Sequence, residues 1–414
     1  MIERFVYHKR VKNSVWPLLF KLMGKTIFDC KETHPTPERV KGFEENFLKG
    51  DQLADEAIQE LFHADKKHIE SFRLMNRVLD NGFENEDDIS PSFKKLVQEV
   101  NIDPKWLDRN QLERGASVCR RLGEHAMAVL GDLALLGGYA NADITKPLVF
   151  TGALNGEHTF DRISETSQFW VDVTRPKALV IGGKGHKIAI RVRMMHAMVR
   201  MRLLKHPKWN TNEWGWPINE ADSLATNVGF SMAMIFGCKL LGYHLPNKDI
   251  EAVLHLWRYI GYLMGDDTDW LPKTTDEGLQ CLLLIHLSNN NIPDEESKAL
   301  AHDYLNSFKP KFEKKYWNKY LNDFYYYQKH KAYAKYLIPY DLYRNLQLPS
   351  NYFTWLFVPF VEVPFIFIKD RIRLLSPHLG KHFETIGAKQ QENIINNRMG
   401  NKQSQYIPKE EMAK

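Results

Sequence analysis

Cysteine is scarce. Cys30, Cys119, Cys238 and Cys281 are the only four in 414 residues, they lie far apart, and none forms a Cys-x-x-Cys pair. A disulfide framework and a cysteine zinc site are excluded, and the thiols fit a reducing compartment, so the cytoplasm is the expected location. No charge of one sign dominates: 56 Lys and Arg stand against 51 Asp and Glu, a net +5 spread along the chain. A nucleic-acid binder concentrates its positive charge in a stripe, so no nucleic-acid partner is expected. Unbroken apolar runs of spanning length are also missing. The richest stretch, Tyr352–Ile368, is interrupted by Pro359, Glu362 and Pro364; it reads as buried core or cavity wall, or alternatively as a peripheral membrane contact through 352–368. The early apolar patch Trp16–Met23 holds Pro17 and Lys21 and lacks a small-residue cleavage site, which argues for an amphipathic segment and against a signal peptide.

Strand signals are nearly absent too. The best candidate is the short Ala178–Ile181, followed by Gly182-Gly183-Lys184-Gly185, which reads as an interhelical turn and only weakly as a phosphate loop. Helical periodicity fills the rest, over about Pro37–Leu48, Leu53–Asn76, Gln111–Leu136, Phe160–Thr174, Lys187–Lys205, Pro217–Leu241, Asp249–Met264, Thr275–Leu287, Asp294–Tyr320, Ala332–Arg344 and Tyr352–Leu375. The chain is therefore expected to be all-α, with one large helical domain over 1–389 and a polar, mobile tail over 390–414. Hydrophobic residues make up 43% and aromatics 12%, enough for a core and for a wide apolar cavity or a lipid-facing surface.

Two helices carry ionisable groups where apolar ones would be ordinary. In Thr159–Pro176, the residues Arg162, Glu165, Thr166, Phe169, Trp170 and Val173 share one helical stripe. An ion pair and a hydroxyl on an inward face point to a polar ligand; the alternative is a surface Arg162–Glu165 pair of small energy. In Lys187–Pro207, His196 sits mid-helix among Ile188, Ala189, Val192, Val199 and Leu203. A core histidine satisfied by a hydrogen bond is the commoner case. Arg191, Arg193, Arg200 and Arg202 share the helix, and an arginine one turn from a buried imidazole also suits a haem, with nitrogen to iron and guanidinium to propionate. A carboxylate-bridged di-iron bundle needs two Glu-x-x-His elements, whereas only Glu60-Leu61-Phe62-His63 occurs.

Two further segments, Glu213–Ser231 and His255–Thr274, combine Trp, Gly and Pro at helix mouths. In order, Arg162…Thr166, Arg193…Met195-His196, Trp214–Asn219 and His255–Gly261 resemble the haem b oxygenase family of latex-clearing protein, a rubber oxygenase, and of the mycophenolic acid pathway oxygenase (MpaB). The resemblance covers about 115–274, and more loosely the Ser376–Phe383 segment. It implies an enlarged globin-like helical core around a haem, with His196 as the one protein ligand to the metal. Arg200 would hold a propionate, Arg193 would belong to the haem-binding element, and Arg162 and Thr166 would be polar residues of the pocket. The rubber-cleaving members carry a distal lysine immediately before the threonine, and here that position is Glu165. Their upstream catalytic glutamate has Asp143 as its nearest acidic counterpart.

The expected function is oxygenation or oxidative cleavage of a hydrophobic, unsaturated isoprenoid or lipid-like substrate, with haem b as cofactor and dioxygen as co-substrate. In that scheme Thr166 hydrogen-bonds oxygen, Glu165 moves a proton, and Arg162 completes the catalytic set. The alternatives are a haem sensor, carrier or peroxidase-like protein on the same scaffold, or a haem-free helical binder with His196 in its core.

Overall fold

Helix Arg109–Arg121 starts where the Asp108 carboxylate accepts hydrogen bonds from the Asn110 and Gln111 amides. It crosses helix Asn247–Met264 at Gly115, where a Cβ would lie 2.2 Å from the Ala252 carbonyl oxygen. Only a glycine allows that approach, and the two helices form the spine of the fold. The computed structural model describes residues 3–62, 68–83, 86, 89–151, 157–310, 317–349 and 354–399, and among them the architecture is all-α with no strand. Around the spine pack Gln52–Leu61, Glu157–Val173, Lys184–Leu204, Thr275–Ser288 and the long terminal helix Pro377–Met399. Side chains from Phe5 to Ile395 join one buried apolar cluster that includes Trp170 and Trp257. A second cluster gathers around Tyr139, Ile163, Tyr304 and Leu346.

Several expected helices are interrupted. The one expected over Gln111–Leu136 breaks at Gly123, in the left-handed region at φ +57°, and then passes through a π-wound segment, Leu130–Leu135. The one expected over Pro217–Leu241 contains a second π segment, Gly229–Ala233, and the two pack together. Such segments recur at functional sites because each bulges a helix wall outward. Ala178–Ile181 is a turn, and Gly182 at φ +75° and Gly183 bring the chain into the Lys184–Leu204 helix.

The first ten residues of the tail expected from residue 390 are helical. Gln390–Met399 completes the terminal helix, because Gln391, 1% exposed, donates to the Cys119 and Gly123 carbonyls freed by the break at Gly123. The remainder, 400–414, lies outside the described residues.

The apolar stretch 354–368 joins the core on one side only and does not line the cavity. Val358, Glu362 and Ile366 face inward, while Phe360 is 74% and Phe365 64% exposed; Pro359 and Glu362 fall in a π turn, and the alternation of inward and outward residues leaves one face apolar in solvent. Among the described residues no helix is long and apolar enough to cross a membrane.

Candidate functional site

One large cavity of about 740 Å³ opens between the Glu157–Val173 and Lys184–Leu204 helices and the two π segments. Its volume lies within the roughly 300–1,000 Å³ typical of ligand and cofactor sites. Phe169, Trp170, Phe230 and Trp257 form much of its apolar wall, with Phe230 stacked on Trp257 at 5.0 Å between ring centroids. Of the aromatics in the family-like segments, Phe169, Trp170 and Trp257 reach the cavity, whereas Trp214, Trp216 and Tyr259 do not line it.

His196 projects into this cavity from mid-helix. Burial first, then the cations Arg200 and Arg162, push its imidazole down to about 3, so it is neutral at physiological pH with a lone pair ready to bind. Among the described residues it has neither a hydrogen-bond nor an ion-pair partner. Of the other inward histidines, His186 bonds the Val100 carbonyl at 2.8 Å and His255 accepts from the Asp108 amide at 3.0 Å. His255, from the family-like segment, therefore holds the start of the spine helix. His286, also on the cavity wall, has an unpartnered Nε2 among the described residues, and burial pushes its imidazole down to about 4. It packs edge-on against Trp16 at the Trp16–Met23 helix, away from Arg200 and Arg162, the cations that act on His196.

The arginines divide. Arg162 lines the cavity and pairs with Glu165 at 3.3 Å, both half-buried on the wall. Arg193 and Arg200 do not reach it. Arg193 donates to Asp51, at 2.6 and 3.0 Å, and Arg200 donates from Nε to both Asp55 oxygens at 2.9 Å and from a terminal nitrogen to the Ile218 carbonyl. Asp51 also caps the Gln52–Leu61 helix. Thr166 lies on the wall but donates its hydroxyl proton to the Arg162 carbonyl at 3.1 Å, so lone pairs are what it offers the cavity. Asp143 is not on the wall, although Asn141, Ile144 and Thr145 are; burial pushes its carboxyl up to about 6.

Motif reasoning missed a carboxyl at the cavity. Asp266 follows the apolar helix Asn247–Met264 through Gly265, whose φ of +87° turns the chain. It borders the cavity and has no side-chain partner among the described residues. Burial, then the nearby Glu220 and Asp51 carboxylates, hold it well above the usual range, and burial raises Glu220 to about 7. Gly261 of the family-like His255–Gly261 segment makes room for it: a Cβ there would lie 2.9 Å from Asp266 Oδ2. The only sequence signal was a pair of acids directly after an apolar helix.

No group of three or more His, Cys, Asp or Glu that could hold a metal occurs among the described residues. A metal at His196 would thus bring other ligands of its own, as a porphyrin does. An unpartnered neutral imidazole, aromatic walls and a cationic side chain at one cavity fit that group. His63, of the lone Glu-x-x-His element, lies outside the described residues.

Comparison with known proteins shows the fold and the family. A rubber oxygenase from Streptomyces sp. (strain K30) is 27% identical over 186 residues, 44% of this chain and 45% of that protein; the match spans about half the relative's length. The solved structure of latex clearing protein in its closed state superposes with a TM-score of 0.66 at 18% identity, over 88% of this chain and 95% of the other, which shows the fold. The family described as ER-bound oxygenase mpaB/B'/rubber oxygenase, catalytic domain, matches residues 120–360. With more than half of its length inside that match, including the wall helices and His196, the chain belongs to this oxygenase family.

Proposed function

We propose that this protein is a haem b-dependent oxygenase that uses dioxygen to cleave or oxygenate a hydrophobic, unsaturated substrate of the isoprenoid or lipid type. The observation that carries the proposal is the neutral, unpartnered His196 on the wall of a large, mostly apolar cavity. Haem, when bound, supplies the activation of dioxygen. The protein's part follows from its own residues. His196 would hold the metal, and because Arg162, Arg193 and Arg200 are paired with Glu165, Asp51 and Asp55, a porphyrin carboxylate would fall to another cation of the wall. Burial and the neighbouring carboxylates favour the protonated form of Asp266 at the wall, Thr166 presents an acceptor, and the aromatic walls exclude water and favour an apolar chain.

Glu165, where rubber-cleaving members have a lysine, supports a second reading: a haem sensor or carrier without turnover. The wall then offers a carboxylate already paired with Arg162 in place of a free cation. Supplying the haem-loaded protein with reductant, oxygen and a polyisoprenoid separates the two. Oxygen uptake with carbonyl or oxygenated products is expected; haem binding without either establishes the second reading.

A lipid bilayer would bring such a substrate to the cavity. Trp16, Phe20 and Met23 line it from the helix Trp16–Met23, whose opposite face leaves Leu18 71% and Leu22 58% exposed, beside exposed Lys12, Lys21 and Lys25. The charge suits anionic lipid. The protein is expected to co-sediment with phosphatidylserine-containing vesicles and to lose at least tenfold in partitioning in the Leu18→Glu/Leu22→Glu variant, burial of each leucine contributing roughly 1.5–3 kcal/mol; equal partitioning of wild type and variant would refute the contact.

A further inference from the structure

Arg398 stands in the last turn of the terminal helix, eight residues beyond the point where the sequence suggested a mobile tail. The residue as a whole is half-buried. Its side chain borders the cavity. No carboxylate comes within ion-pair distance of it among the described residues. It donates to Ser167 Oγ at 3.5 Å and lies over the face of Phe308, 5.2 Å from the ring centroid. Asp132, the carboxylate whose charge acts on it, is already taken: it accepts from Tyr304 at 2.8 Å and bonds His330 at 2.8 and 2.9 Å, and His330 is itself stacked on Phe308 at 3.7 Å. Gly131 beside it keeps this arrangement, since a Cβ there would lie 2.0 Å from the Tyr304 oxygen.

A guanidinium does not lose its proton in a protein. Withdrawing one from bulk water without an anion is costly, and the usual resolution is a partner. The buried arginines near the cavity each have one: Arg193 has Asp51, Arg200 has Asp55, and Arg4 has Asp222. Arg398 alone among these reaches the cavity with its charge unmatched, and its planar fork suits a carboxylate held by two parallel bonds.

We propose that Arg398 is the carboxylate-binding residue of the cavity, so that the ligand held there is an amphiphile with an acid group at the Tyr304–Ser167 end and an apolar body along the aromatic walls. The inference rests on this cavity being the ligand site, as proposed above, but not on haem. Two carboxylates share this chemistry, that of a porphyrin and that of a lipid or prenyl acid.

The test uses the full-length protein and two acid–ester pairs: haemin against its dimethyl ester by absorbance titration, and cis-parinaric acid against its methyl ester by fluorescence. Wild type is expected to prefer the free acid in one pair by about tenfold or more, as a charge-assisted hydrogen bond implies. The pair that shows the preference names the source of the carboxylate. Arg398→Met should erase the preference while ester binding stays unchanged, and Arg398→Lys should restore part of it; unchanged ester binding and near-UV dichroism report a folded cavity. A preference that persists in Arg398→Met, or no acid preference in either pair for wild type, overturns the proposal. A preference for the free fatty acid with no haemin binding would leave it standing while refuting the haem reading.

Discussion

His196→Ala is expected to abolish haem binding and its Soret absorbance while the protein stays folded. The side chain donates to nothing and accepts from nothing among the described residues, so its loss orphans no buried group, and the hole it leaves is continuous with a cavity already there. The stability change should stay within about 1 kcal/mol, because no hydrogen bond is broken. His186→Ala is the informative contrast. It would strip the Val100 carbonyl of its 2.8 Å partner in a residue only 1% exposed, costing about 1–3 kcal/mol for the unsatisfied acceptor with no change of spectrum. Titrating haemin into both variants and following each by thermal melting checks the pair. A His196→Ala protein that loses stability but keeps the Soret band would make His196 an ordinary core residue.

Asp55→Ala should be the most destabilising single change near the site, and Arg200→Met a milder one. Arg200 is 2% exposed, and its two bonds to Asp55 at 2.9 Å tie the histidine helix to helix Gln52–Leu61. Removing Asp55 leaves a buried cation that cannot neutralise itself, at a cost of about 3–5 kcal/mol. Removing Arg200 leaves an acid that can take up a proton, and burial already holds the Asp55 carboxyl above its ordinary value. Its pKa then rises further and the charge disappears. Urea unfolding at pH 7 would show the difference. If Arg200 served chiefly to hold a cofactor carboxylate, the order would reverse: Arg200→Met would lose haemin affinity, and Asp55→Ala would retain its stability.

What could be read before the fold was known depended on how local each feature is. His196 and the stripe from Arg162 to Trp170 were legible because helical spacing alone puts them on faces, and the ordered segments around them narrowed the chemistry. The partner of Arg200 was not: Asp55 lies 145 positions away, and one turn along a helix looks the same whether the guanidinium faces a cavity or another helix. Gln390 and Gln391 read as tail because they are polar, yet amide side chains are what two carbonyls freed at a helix break require. Tyr352–Ile368 read most easily as interior because composition does not tell which side of a helix faces the core, and the structure turns Phe360 and Phe365 outward. Asp266 and Arg398 stayed hidden for a related reason: each borders the cavity only through the packing of helices remote in the chain. The π segments Leu130–Leu135 and Gly229–Ala233 left no local signal, since they widen helices whose apolar periodicity continues across them.

The most direct test is the absorption spectrum of the purified full-length protein, as isolated and after reduction, with a pyridine haemochrome assay and a haemin titration of any colourless material. The expected result is a Soret band that shifts on reduction, a haem b haemochrome, and loss of both in His196→Ala. A colourless protein that takes up no haemin would contradict the assignment of His196 and, with it, the proposed oxygenase.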